Sequence, residues 1–418
     1  MRRRGRESGP VRRFAIAELL LVVLLAGGIA AELGLHRADA APAPAAAPPA
    51  TGPKPPRVTS TLPAWRAPGA LVHVSGWAAP VVRLRLGTPS GRTLALATSG
   101  RRGRFVFRFR APAPGRYRLR VAATSGSAPA GLLVVRALTL AAVGDVTFGE
   151  QVGPAVLEYG SAYPWTGVAA TLGRADLTVG NLESSVSTRG TAVAGKQYVF
   201  RGPPQAFDAM SRLAGFDVLT LANNHSGDYG PDALLDTLRD AHAARIQTIG
   251  AGTDEEQAHR PAILEAGGLK VALLGYSDVN PLGFPATAWA PGTARADPAA
   301  IDADVRAARR RADVVVCFFH WGTELVAQPD ARQRGFADDC LRAGAQVVLG
   351  SGPHVLGPVD RPAAHALVAW TLGDFVFPAT GAAARTGILE VRLDRSGVRG
   401  STLVPVHIDG FRPRLGSG

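Results

Sequence analysis

Leu138-Thr139-Leu140-Ala141-Ala142-Val143-Gly144-Asp145 sets the pattern for the second half of this chain: a short apolar run, then a polar block. Four more blocks repeat it. Leu177–Val179 runs into Gly180-Asn181-Leu182-Glu183, and Val218–Leu221 into Ala222-Asn223-Asn224-His225. Val314–Phe319 ends in His320-Trp321-Gly322, and Val347–Leu349 leads to Pro353-His354. Such short, mostly β-branched runs are expected of buried parallel strands. Polar residues just past their carboxyl ends collect along one sheet edge, where open α/β folds bind ligands.

Further apolar runs occur at Ile246–Ile249, Val271–Leu274, Ala366–Leu372, Ile388–Leu393 and Leu403–Ile408. Helical spacing is read at Pro231–Ala244, Ile301–Arg311 and Gln333–Ala343. The alternation predicts an α/β domain over 137–410, with a largely parallel sheet or two sheets in layers.

Before it, period-two alternation predicts a small β-sandwich of immunoglobulin-like size over 69–136. Phe105, Phe107 and Phe109 alternate with Val106, Arg108 and Arg110, and Leu119 and Val121 with Arg118 and Arg120. The arginines are expected to point outward, as a solvated face or toward an anionic polymer or lipid surface. Residues 41–68, rich in Ala and Pro, read as an extended spacer.

Residues 1–40 read as an export signal or membrane anchor. Arg2, Arg3, Arg4, Arg6, Arg12 and Arg13 precede the apolar run Phe14–Ala31, which Glu18 alone interrupts. By the positive-inside rule the remainder is exported. An uncleaved anchor gives a single-pass membrane protein; cleavage at Ala38-Asp39-Ala40 gives a secreted one.

The net charge of +13 is almost all arginine, with Lys54, Lys196 and Lys270 the only lysines. With the abundance of Ala, Gly and Pro, this fits a coding bias. No basic stretch is interleaved with stacking aromatics, so nucleic acid is not an expected partner. Cys317 and Cys340 lack the charged surroundings of a nucleophile.

Singly, each polar block has an ordinary structural explanation. Together, an Asp, a Glu, an Asn and three of the nine histidines at strand ends form a set of ligands for divalent metals. The other six histidines (His36, His73, His242, His259, His365, His407) stand in no such block.

The order of these motifs, continued by Asp228-Tyr229-Gly230, His320–Glu324, Pro353–Leu356 and Leu372–Phe377, is similar to the CapA family. These are capsule-synthesis proteins linked to poly-γ-glutamate and related to calcineurin-like metallophosphatases. The resemblance spans about 137 to 410. It implies an α/β/β/α sandwich holding one or two divalent ions (Mn, Fe or Zn) at the strand ends. Asp145 would ligate one metal, Glu183 would bridge, and Asn224, His320 and His354 would complete the ligands. His225 would serve as the neighbouring non-ligand histidine, with Asp228 and Glu324 behind the ligands or facing substrate.

Three positions depart from the family pattern. Thr147 stands where the metallophosphatase motif has a histidine, Gly352 where the last motif has its first histidine, and Asp374 where asparagine is usual. The missing imidazole at Gly352 removes one ligand, which water or Asp374 would have to replace. The implied partners are an anionic envelope polymer such as poly-γ-glutamate, the membrane, and capsule synthesis or export proteins. A metal-dependent hydrolase, a non-catalytic polymer-binding scaffold and an envelope phosphodiesterase unconnected with capsule all remain open.

Overall fold

The computed structural model describes residues 52–281 and 283–416. The expected anchor and cleavage point, Phe14–Ala31 and Ala38–Ala40, lie outside the described residues. No helix among the described residues is long and apolar enough to cross a membrane.

The α/β body holds two sheets. In the first, Leu138–Val146, Leu177–Leu182, Val218–Thr220 and Gln247–Ile249 run parallel, and Asp374–Val376 adds a parallel strand beside Leu138–Val146. Arg385–Asp394, Gly397–Asp409 and Arg412–Leu415 extend the sheet antiparallel. In the second, Leu269–Ser277, Val314–His320, Val347–Ser351 and Leu367–Ala369 are parallel, with antiparallel Ala262–Ala266 and Val359–Asp360 at the edges. Both sheets are mixed, so the largely parallel expectation holds only at their centres.

Three apolar cores define four layers. Leu138, Leu140, Val179, Val271, Val316 and Leu349 belong to the core between the sheets. On the outer face of the first sheet, Val143, Leu182 and Leu219 pack with Val156, Met210 and Leu234 from the helices Val152–Tyr159, Ala206–Arg212 and Gly230–Ala243. On the outer face of the second, Val315, Cys317 and Phe319 pack with Ile301, Val305, Phe336 and Cys340 from Pro298–Arg309 and Ala331–Ala343. A strand buried on both faces needs apolar residues on both, which is why these runs do not alternate.

Local chemistry sets the helix ends. The Asp297 carboxylate accepts from the Ala299 and Ala300 N–H groups. Asp330 and Gln333 form a capping box, and Gly344 closes the same helix at φ 111°.

Ahead of the body, seven strands form a sandwich of a three-stranded and a four-stranded sheet. Its core contains Val72, Val74, Phe105, Phe107, Leu119 and Val121. The stretch read as a spacer ends earlier than expected. Arg57–Val58 pairs as an edge strand with Leu71–Trp77, and Leu62 packs against the sandwich core. Ala67 and Ala70 are wholly buried in the core between the two body sheets. Small residues look unable to bury a core, yet they fit where two backbones approach closely. The sandwich is pinned to the body by Arg136, which stacks 3.9 Å over the Trp65 ring and meets Asp176 at 2.6 and 2.7 Å.

Candidate metal centre

The five blocks converge at the carboxyl ends of the central strands. In Leu138–Val146 the pairing register shifts between Ala142 and Asp145, turning Asp145 into the site. The bend depends on Gly144, where an added Cβ would lie 1.7 Å from the Gly373 carbonyl oxygen. The Asp145 N–H donates to that same carbonyl.

Asp145, Glu183 and His320 are buried, with one ligand atom from each within 4.8 Å of the others. A second group, Asp145, His354 and Asp374, meets the same criterion and shares Asp145. Asp145, rather than Glu183, is therefore common to both groups. His320 Nε2 lies 3.6 Å from Glu183 Oε1. His354 Nδ1 donates to Asp374 Oδ1 at 2.7 Å and lies 3.6 Å from Asp145 Oδ2. His354 has φ 58°, a left-handed conformation uncommon for a residue with a side chain and often found at functional sites.

Around these groups a polar lattice fixes orientation. The Asn223 side-chain oxygen accepts from the His225 and Ser226 N–H groups, so its nitrogen donates to the Asn181 oxygen. Asn181 in turn donates to Asp145 Oδ1 at 2.7 Å, with its nitrogen 3.1 Å from His320 Nδ1. The Gly352 N–H donates to Asp145 Oδ2.

Some acceptors stay unmet. Both Glu183 carboxylate oxygens and the Asn224 side-chain oxygen are buried with no hydrogen-bond partner among the described residues. Each such group costs about 1–3 kcal/mol, and more when charged. Burial pushes the Glu183 carboxyl well above its ordinary range, and the charges of Asp145 and Asp374 push it further. Burial likewise raises Asp145, and raises Asp374 to about 6 against the pull of His354. Burial depresses His320 well below the usual imidazole range, which keeps it neutral and able to ligate. Burial also works to lower His354, but the Glu183 charge, the Asp374 hydrogen bond and Asp145 together push it up to about 10. A cluster rich in carboxylates, with unmet oxygens and a neutral imidazole, fits a divalent cation.

Beside this cluster, His225 Nδ1 donates to Asp228 Oδ2 at 2.7 Å, and its Nε2 faces Glu183 Oε1 at 3.9 Å. Phe200 stacks on the imidazole with centroids 4.1 Å apart and donates its N–H to Asp228. Lys196 closes the group. Its ammonium donates to Asp228 Oδ1 and the Asn224 carbonyl at 2.5 Å each. Burial lowers both Lys196 and His225, and each is partly restored by Asp228.

Of the residues expected from sequence, Asp145, Glu183, His320 and His354 thus meet in the two overlapping groups. His225 and Asp228 lie beside them, and Asn224 offers a free buried oxygen. Glu324 is exposed in the loop after Val314–His320 and joins neither group. Reading by strand ends missed Lys196 and Phe200, and gave Asn223, though within a block, no part in orienting the site. Lys196 had one available signal, as one of three lysines in an arginine-rich chain.

The family model for the bacterial capsule synthesis protein PGA_cap matches residues 139–379. The chain belongs to that family. This PGA_cap chain is 30% identical over 285 residues to the capsule biosynthesis protein CapA of Bacillus anthracis, covering 66% of this chain and 69% of that one. It is 29% identical over 279 residues to the PGA biosynthesis protein CapA of Bacillus subtilis strain 168, covering 66% and 73%. The resemblance to CapA read from the motifs is met. A solved Mycoplasma pneumoniae phosphatase covers 65% of the chain and 94% of its own at 12% identity, with a TM-score of 0.41. At that score, the family assignment rests on the sequence matches.

Proposed function

We propose that this PGA_cap chain is a metal-dependent hydrolase acting on an anionic envelope polymer of the poly-γ-glutamate type, outside the cytoplasm and tethered by its amino-terminal segment. One observation carries the catalytic part: the unmet, buried oxygens of Glu183 and Asn224 beside Asp145, His320, His354 and Asp374. The CapA relatives supply the polymer.

Asp145, Glu183, Asn224, His320 and His354 would hold the cation, with Asp374 taking the part of a further oxygen ligand. A divalent cation there supplies Lewis-acid activation of water and of the attacked group. His225 handles the proton. Its Nδ1–H is pinned by Asp228, which leaves Nε2 to take or deliver a proton at the reacting atoms. Lys196 balances the Asp228 charge, and Phe200 holds the ring in plane.

Metal analysis of the purified chain, with assays on bis(p-nitrophenyl) phosphate and on γ-glutamyl amide bonds, tests the proposal. Bound Mn, Fe or Zn with cleavage that falls in His225→Asn supports it; a chain that takes up no metal overturns it. The scaffold reading draws on Gly352. With φ 107°, and an added Cβ 2.8 Å from the Trp321 carbonyl and 3.2 Å from His320 Nε2, no histidine fits there without backbone movement. Metal uptake without cleavage of either bond would favour that scaffold. Sequencing the amino terminus of the mature protein separates an anchor from a cleaved signal.

A further inference from the structure

The charge of this chain is divided between its parts. Residues 52–136 contain fifteen Arg and Lys and no Asp or Glu, whereas residues 137–418 contain 24 basic and 29 acidic residues. An arginine-favouring coding bias explains Arg over Lys. It does not explain the loss of every carboxylate from one module. The family match begins at residue 139, so the module lies outside the part it covers.

The structure arrays these cations in rows. In Arg104–Arg110 the phenylalanines 105, 107 and 109 are buried, so Arg104, Arg108 and Arg110 stand on the outer face of the three-stranded sheet. Trp77, about half exposed, lies opposite Arg104 on the same face. In Gly115–Ala123, Leu119 and Val121 turn inward, leaving Arg116, Arg118 and Arg120 exposed on the outer face of the four-stranded sheet. Alternate residues of a strand recur about every 7 Å, so Arg116, Arg118 and Arg120 present charge at that interval, whereas Val106 interrupts the row of Arg104, Arg108 and Arg110. A groove of about 560 Å³ on the second face is lined by Arg92, Arg116, Tyr117 and Arg118, with the Arg92 guanidinium 5.8 Å from the Tyr117 ring centroid.

We infer that the β-sandwich binds a flexible polycarboxylate chain along these two arginine rows. The rows face away from each other on opposite sides of the sandwich. A planar lipid surface can meet one of them; a flexible polymer can wrap both. With no carboxylate in the module, the guanidinium groups have no internal ion pair to displace. Arg110 and Arg120 give up at most neutral hydrogen bonds, to the Gly69 carbonyl and the Ser127 hydroxyl, and each row arginine can take a polymer carboxylate through a forked pair of hydrogen bonds. The module thereby raises the local concentration of polymer beside the metal centre. The choice of polycarboxylate rests on the polymer proposed above; the arginine surface does not depend on the hydrolase chemistry.

The purified full chain is titrated into fluorescein-labelled poly-γ-glutamate, followed by anisotropy at several salt concentrations. Binding that weakens steeply with salt is expected. The triple variants Arg116→Gln/Arg118→Gln/Arg120→Gln and Arg104→Gln/Arg108→Gln/Arg110→Gln should each weaken it about tenfold or more at low salt. The matching Arg→Lys triples should retain most of it, while all variants keep their metal content and small-substrate cleavage. Unchanged affinity in both Gln triples overturns the inference. So does tighter binding to phosphatidylglycerol vesicles, or to a single-stranded oligonucleotide, than to the polymer. Should the wild type cleave nothing, the hydrolase proposal fails while the binding measurement still decides this one.

Discussion

Glu183 has two buried oxygens and no donor for either among the described residues, so the metal-free protein carries it at a cost. Burial raises its carboxyl pKa, so between the ordinary and the raised value the folded chain holds a proton that the unfolded chain has released. The metal-free protein therefore gains stability from this group as pH falls from the raised folded value toward the ordinary one near 4. Glu183→Gln is expected to raise the metal-free melting temperature, by the equivalent of about 1–3 kcal/mol. It should also abolish the further rise that Mn²⁺ gives the wild type. Thermal melts with and without Mn²⁺ read both effects, and an unchanged Mn²⁺ response would remove Glu183 from the ligand set. Asp228→Asn acts differently. It keeps the shape but loses the carboxylate that directs His225 and anchors Lys196. Its kcat on a small phosphodiester should fall about 10²-fold or more, with metal content retained.

Among the elements, the strand carrying Asp145 and the helix Gly230–Ala243 each have one position that a single substitution tests, Gly144 in the first and Asp236 in the second. Gly144→Ala would drive a Cβ into the Gly373 carbonyl, so the strand must shift. A loss of about 2 kcal/mol or more in urea unfolding is expected, with weakened metal uptake. Asp236, on Gly230–Ala243, accepts from Ser187, Arg189 and Arg239, and the Arg189 contact above all holds its carboxyl well below the usual range. A depressed folded pKa gives stability that is present above the unfolded value near 4 and lost as pH falls below it. Urea titrations from pH 6 to pH 2.5 should show that loss in the wild type and a shallower one in Arg189→Ala.

The elements also mark how far the sequence could be read. Strand-end blocks were legible because strands buried on both faces are written as continuous apolar runs, and the polar residues after them are forced to one edge. The sandwich was legible through its two-residue period. Lys196 and Phe200 were not, since they reach the site through loop geometry that leaves no period, and Asn223 stood in a strand-end block without its hydrogen bonds to Asn181 and Leu182 being readable. Residues 52–68 misled for a related reason: Ala67 is buried by the backbones around it, which composition does not record.

For the whole molecule, the buried alanines decide how the two folded parts unfold. Ala67 and Ala70 sit in the same core as Leu138, Val271 and Val316, so the root of the sandwich is also filling for the body. The Ala67 N–H donates to the Gly267 carbonyl, and the Trp65 ring covers Gly267. Arg136 binds both parts at once, through its stack on Trp65 and its paired hydrogen bonds to Asp176. A shared core favours one cooperative transition over two. The chain from Gly52 onward is expected to unfold in a single calorimetric step. Trp65→Ala and Arg136→Ala should each cost about 1–3 kcal/mol. Because the two residues share a contact, the double variant should lose less than the sum, by about 0.5–2 kcal/mol. Full additivity, or a separate low-temperature transition already present in the wild type, would mean that the sandwich stands independently of the body. In that case arginine rows could still hold polymer, but they would not hold it at a fixed distance from Asp145 and Glu183.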